Sequence, residues 1–181
     1  MKAMKVFSVS FVLAALILPC VTAVAADGWS TDFEAAKTAA AKENKPILAD
    51  FTGSDWCIWC KRLDSEVFSK EAFKTFARAN LVLFVADFPS KKQLDKATAD
   101  QNKGLAEKYG VKGFPTVLLL DAEGKVLAQT GYKPGGAEAY VEHLKGLVPK
   151  AGDSKPAEKS VEKAVEKAVE KPAEKSPVAN P

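Results

Sequence analysis

The tetrapeptide Cys57-Ile58-Trp59-Cys60 confines the fold of the chain around it. It follows the apolar run Ile47-Leu48-Ala49-Asp50-Phe51 and the turn residues Thr52-Gly53-Ser54-Asp55. It then opens a helical stretch that carries Leu63 and Val67 inward. Two thiols at this spacing can close a small disulfide and reopen it. The first lies at a helix N-terminus, where unpaired backbone N–H groups and the helix dipole stabilise a thiolate. The remaining cysteine is Cys20 and the single histidine is His143. A structural zinc site requires four protein ligands, and beyond the pair only His143 is available. Covalent haem attachment requires histidine directly after the second cysteine, where Lys61 stands. A static bridge stays open as a reading, although closing so short a loop restricts the unfolded chain little.

Both ends of the 181-residue chain differ in composition from the middle. Residues 1–26 read as a secretory signal peptide. Lys2 and Lys5 supply the positive start, residues 7–18 are apolar, and Ala23-Val24-Ala25-Ala26 offers small-residue cleavage sites. The apolar run is shorter than a membrane span needs. Pro19 stands where a lipidation signal requires a small residue before the cysteine, so Cys20 is expected to leave with the leader. Loss of Lys2 and Lys5, with no acidic residue, lowers the formal charge from +3 to +1. That balance gives no electrostatic case for nucleic acid or acidic lipid as a partner. Residues 150–181 read as a solvated, disordered tail rich in Lys, Glu, Ala and Pro. The Ala-Val-Glu-Lys repeat of residues 160–171 stacks like charges four apart, and no aromatic residue follows Tyr140. One domain, 27–149, remains between the ends.

Within it, Thr31-Asp32-Phe33-Glu34 predicts a capping box, with Thr31 as cap, and a helix to 43 that turns Phe33, Ala36 and Ala40 to one side. Pro46 ends the connection and a strand follows over 47–52. Ser69 is expected to cap a further helix bearing Phe73 and Phe76. A strand buried on both faces is expected over 81–88. Residues 89–100 read as loop or loose helix, and 102–109 as a helix closed by Gly110. Strands over 116–120 and 125–129 flank the hairpin signal Asp121-Ala122-Glu123-Gly124. A final amphipathic helix spans 134–148, with Tyr140, Leu144 and Val148 inward. Strands alternating with helices imply a three-layer α/β fold, a largely parallel sheet with a late antiparallel edge.

Three separated stretches resemble the exported thioredoxin-like proteins. They are the strand-to-helix run of residues 47–61, the segment Tyr109-Gly110-Val111-Lys112-Gly113-Phe114-Pro115-Thr116, and the hairpin at Asp121 to Lys125 followed by Gly131. The resemblance implies a thioredoxin-like fold, a central mixed sheet flanked by helices. It also implies a thiol–disulfide oxidoreductase without metal or cofactor. In that reading Cys57 is an exposed attacking thiol and Cys60 the buried thiol that resolves the mixed disulfide. Asp50 takes the proton of Cys60. Pro115 is a cis-proline whose neighbour Phe114 presents its backbone to a client strand, with Trp56 and Gly131 on the same substrate-binding surface. The implied partners are protein thiols and disulfides, together with a membrane redox protein. The implied location is exported, periplasmic or extracellular, in a bacterium. A non-catalytic binding module and an electron carrier dedicated to one protein are the alternatives.

The chain departs from that family at several points. Ile58-Trp59 replaces the common Gly-Pro, and one extra residue separates Asp50 from Cys57. Leu83 to Ala86 hold no lysine, and residues 89–100 look inserted. Trp59 reads equally as packing and as a specificity element. Lys61 and Arg62 are weak candidates for lowering a thiol pKa, and His143 reads as incidental.

Overall fold

A computed structural model describes residues 28–148. The expected signal peptide with Cys20 and the repeat-bearing tail lie outside the described residues. Five strands form one mixed sheet in the order β1-β3-β2-β4-β5. They are β1 (Trp29–Ser30), β2 (Ile47–Thr52), β3 (Val82–Asp87), β4 (Thr116–Leu120) and β5 (Val126–Thr130). β2 runs parallel to β3 and antiparallel to β4, which in turn pairs antiparallel with β5. The helices are α1 (Phe33–Glu43), α2 (Ile58–Leu63), α3 (Glu71–Asn80), α4 (Lys96–Lys108) and α5 (Gly136–Leu147), with a π turn at Asp64–Phe68 after α2.

β2 is buried along its whole length, and its period of two sends alternate residues into two separate cores. Ile47, Ala49 and Phe51 pack with Phe33, Ala36 and Ala40 of α1, Leu105 of α4 and Phe84 of β3. On the other face Leu48 packs with Leu63, Val67, Phe68, Phe73, Tyr140 and Leu144, which come from α2, the π turn, α3 and α5. Complete burial of side chains of this size contributes roughly 1.5–3 kcal/mol each. The expected three layers are therefore present, with β2 at the centre of the sheet.

The boundaries differ from the sequence-based expectation where a local signal was misplaced or missing. Asp32, not Thr31, caps α1, its carboxylate accepting from the Ala35 N–H at 3.0 Å. Ser69 does not cap α3; Lys70 holds the cap position without a side-chain bond. α4 starts at Lys96, six residues ahead of the expected Asn102, because Asp95 accepts from the Thr98 N–H at 2.9 Å. Asn102 is thus inside a helix and buried, its amide donating to the Asp87 carbonyl at 2.9 Å. β3 is only partly covered, since the two-residue β1 reaches no further than Leu83 and Phe84. β1 itself was not expected: two residues carry no periodicity to read. α5 starts at Gly136, behind Gly135 at φ +118°.

Candidate active site

The chain leaves the carboxyl end of β2 at Thr52 and turns through residues 53–56, where the Cys57 N–H donates to the Gly53 carbonyl at 2.8 Å. Cys57 is the N-cap of α2, with extended backbone (φ −76°, ψ 113°). Its sulfur accepts from the Cys60 N–H at 3.2 Å, so an otherwise unpaired first-turn amide is aimed at it. Cys57 and Cys60 are joined as a disulfide, their Cα atoms 5.3 Å apart. Cys60 is buried, as expected. Cys57 was expected to be exposed and is only 6 % accessible, close to the 4 % of Cys60. Accessible surface at this point belongs instead to the side chains on either side of Cys57 in sequence, Trp56, Ile58 and Trp59.

Gly53 lets the Trp56 indole lie across the turn: a Cβ at that position would sit 2.6 Å from Trp56 Cε2. Trp56 Nε1 donates to the Phe88 carbonyl at 2.8 Å, and its ring meets the Phe114 ring edge-on at 5.8 Å. Phe88 in turn packs at a tilt against Phe114, with centroids 5.0 Å apart. The turn is further tied to the end of β3, because Asp87 accepts from both the N–H and the hydroxyl of Ser54, at 2.9 and 2.7 Å. Asp55 accepts from the N–H groups of Ser90 and Lys91, which holds its carboxyl below the usual range. The segment after β3, read from the sequence as an inserted loop or loose helix, is thereby bonded to the turn that carries the sulfurs.

The Phe114–Pro115 bond is cis. Register places Thr116 opposite Phe51 at the end of β2, so Pro115 lies just beyond the strand end from which the Cys57 turn departs. Gly131 follows β5, and a Cβ there would lie 3.1 Å from the Pro115 carbonyl oxygen. Its own carbonyl accepts from the buried Tyr140 hydroxyl at 3.2 Å. Trp56, Phe114, Pro115 and Gly131 thus lie at the end of the sheet from which the cysteine-bearing turn departs.

Asp50 lies on β2, on the face that also bears Leu48, and is 7 % exposed. Its Oδ1 has no hydrogen-bond partner among the described residues. Burial, reinforced by the negative charges of Asp64 and Asp87, pushes its pKa up to about 8. The carboxyl therefore retains its proton near neutral pH, in the range where thiols titrate. Lys61 Nζ donates to the Asp55 carbonyl at 2.9 Å and Arg62 pairs with Glu66 at 2.9 Å, so each cation has an oxygen partner of its own. His143 sits 2.9 Å from the Thr130 hydroxyl and against the Tyr140 ring, a packing position. Sequence reasoning passed over Tyr132, Glu66, Phe88, Asp55 and Asp87. Of these only Asp55, in the turn Thr52-Gly53-Ser54-Asp55, carried any local hint.

The sequence profile described as a thioredoxin-like domain matches residues 33–145. The disulfide bond reductase DsbH of Chlamydia pneumoniae is 41 % identical over 104 residues, covering 58 % of this chain and 63 % of that protein. The thiol:disulfide interchange protein DsbD of Yersinia enterocolitica is 30 % identical over 108 residues, 58 % of this chain and 17 % of that one. A solved structure titled DsbH oxidoreductase superposes with a TM-score of 0.60 at 39 % identity, covering 62 % of this chain and 78 % of that chain. The chain thus spans less than two thirds of the length of these two curated relatives. With the matched span reaching from α1 into α5 and enclosing the whole site, the chain belongs to the thioredoxin-like domain family.

Proposed function

We propose that this protein is a thiol–disulfide oxidoreductase that exchanges disulfides with polypeptide clients through Cys57 and Cys60. One observation carries the reading: the Cys57–Cys60 disulfide sits at the N-cap of α2, at the same sheet end as the Phe114–Pro115 segment. In the reducing direction, which the name of the DsbH relative favours, the Cys57 thiolate attacks one sulfur of a client disulfide. The client S–S bond breaks, one client cysteine leaves as a thiolate and takes a proton, and a mixed disulfide with Cys57 remains. Cys60, deprotonated, then attacks Cys57 Sγ. The second client thiolate leaves, the Cys57–Cys60 disulfide forms, and two electrons have passed to the client.

The residues support each step. The Cys60 N–H directed at Cys57 Sγ favours negative charge on that sulfur. Asp50, with its pKa near that of a thiol, is matched to exchange a proton with Cys60 in its carboxylate form. The backbone of Phe114 and Pro115, flanked by Trp56 and Gly131, offers an edge along which an extended client can pair. Similarity to a thiol:disulfide interchange protein supports a second, protein-borne dithiol as the redox partner, in our reading a membrane protein. The apolar leader of residues 1–26 supports export to the periplasm or beyond in a bacterium. Among the described residues no helix is long and apolar enough to cross a membrane.

Replacing Cys60 by Ser should leave clients trapped on Cys57 as mixed disulfides, visible on non-reducing gels and released by reductant. Cys57→Ser should trap none. If neither variant traps a client, or both trap equally, the exchange reading is wrong.

A further inference from the structure

Three large apolar side chains next to the disulfide stand in solvent: Trp56 at 50 %, Ile58 at 68 % and Trp59 at 49 % exposure. Trp56 is anchored on the Phe88 and Phe114 side. Trp59 is anchored separately, by contacts that the exchange steps do not use. Its ring packs on Tyr132 with centroids 5.3 Å apart. The Arg62 guanidinium lies 5.2 Å from the Trp59 centroid and 5.3 Å from that of Tyr132. Glu66 ties the group together, one oxygen accepting from Arg62 Nε at 2.9 Å and the other from the Tyr132 hydroxyl at 2.7 Å. Those two bonds hold the Glu66 carboxyl below its ordinary range. Tyr132 directly follows Gly131, which lies against the Pro115 carbonyl. The Trp59–Tyr132 contact therefore links the start of α2 to the loop beside the cis-proline segment, and Cys57 lies in sequence between two separately fixed indoles.

We propose that Trp59, held in place by Tyr132, Arg62 and Glu66, is a specificity-determining residue that selects polypeptide disulfides whose reacting cysteine is flanked by an apolar side chain. The proposal rests on the exchange reading above and names the substrate class of that site. A half-exposed indole offers apolar surface to a flanking residue, and burying it favours apolar over polar neighbours. Because the ring is already packed, little side-chain freedom is lost when a client docks. The cation behind the ring is neutralised by Glu66, so this wall carries no net charge with which to recruit an acidic flank. Tyr132, Arg62 and Glu66 act through Trp59 and are positioning residues.

The test uses two synthetic disulfide-linked peptides that differ only in the residue beside the cysteine, Leu in one and Gln in the other. The reduced full-length protein, mixed with excess peptide in a single turnover, should reduce the Leu peptide about tenfold faster than the Gln peptide as its own disulfide forms. Trp59→Ala should bring that ratio to within about twofold. Glu66→Gln and Tyr132→Phe, which keep both rings, should give intermediate ratios. Each ratio is internal to one variant, so a loss of folded protein or a shift in redox potential cancels from it. Equal wild-type rates on the two peptides, or an undiminished ratio in Trp59→Ala, would overturn the proposal. A wild-type protein that reduced neither peptide would refute the exchange reading itself, a distinct outcome.

Discussion

Asp50 concentrates the chemistry of this site in one titration. Its folded-state pKa of about 8 stands far above the unfolded value of 3.8. Below pH 4 the carboxyl is protonated in both states and contributes nothing to the pH dependence. Between pH 4 and 8 the native state keeps a proton that the unfolded state has released, so stability falls as pH rises through this window. Above pH 8 both forms are ionised and the slope vanishes. At pH 7 the accumulated cost is on the order of 4 kcal/mol, at about 1.4 kcal/mol per pH unit. Asp50→Asn is therefore expected to remove the downward slope, so that its stability relative to wild type grows from pH 4 to pH 8. Urea denaturation across that range measures it, and parallel wild-type and variant curves would refute the assignment. That Asp50 belongs with the cysteines was implied by the family resemblance. Its high pKa was not, because the burial comes from the layer of helices packed on that face and the added repulsion from Asp64 and Asp87, all remote in sequence.

At the level of elements, the turn between β2 and α2 is held by partners beyond its own residues. Asp87 holds Ser54, Phe88 holds Trp56, and Asp55 holds the start of the segment after β3. Gly53→Ala would drive a methyl group into the Trp56 indole, which the Phe88 carbonyl and Phe114 ring fix from the other side. The expected cost is about 1–3 kcal/mol of stability, with a shift of the Trp56 indole N–H resonance as its bond to Phe88 is lost. A variant with unchanged urea midpoint and indole signal would contradict this packing. β2 could be read to the residue because Pro46 and Gly53 bound an apolar run interrupted only by Asp50 and closed by Thr52. The start of α4 was missed because Lys96 to Asp100 set only two alanines among polar residues and show no apolar stripe, although Asp95 and Thr98 form a readable cap. The π turn at Asp64–Phe68, where the Ser69 N–H reaches back to Asp64 O at 2.9 Å, has no signature in those residues that we can identify.

Over the whole molecule, the sheet separates two cores that share no buried side chain. Ile47→Val removes a methylene from one of them and is expected to cost about 0.5–1.5 kcal/mol. Leu144→Ala opens a cavity in the other at about 2–5 kcal/mol. With the sheet between them, the double variant should equal the sum to within about 0.5 kcal/mol. Denaturant titration of the four proteins measures the coupling, and a clearly larger discrepancy would show that the layers are mechanically linked through β2.

The alternation of strands and helices, β1 apart, and the position of the sulfurs at a strand-to-helix turn were determined by the sequence alone. Each depends on backbone periodicity, turn stereochemistry or capping within a few residues. The shielding of Cys57, the proton held by Asp50, and the wall made by Trp59 with Tyr132 were decided only in the tertiary structure. They depend on how closely groups from distant parts of the chain approach and how much water that approach excludes, and no local pattern encodes either quantity.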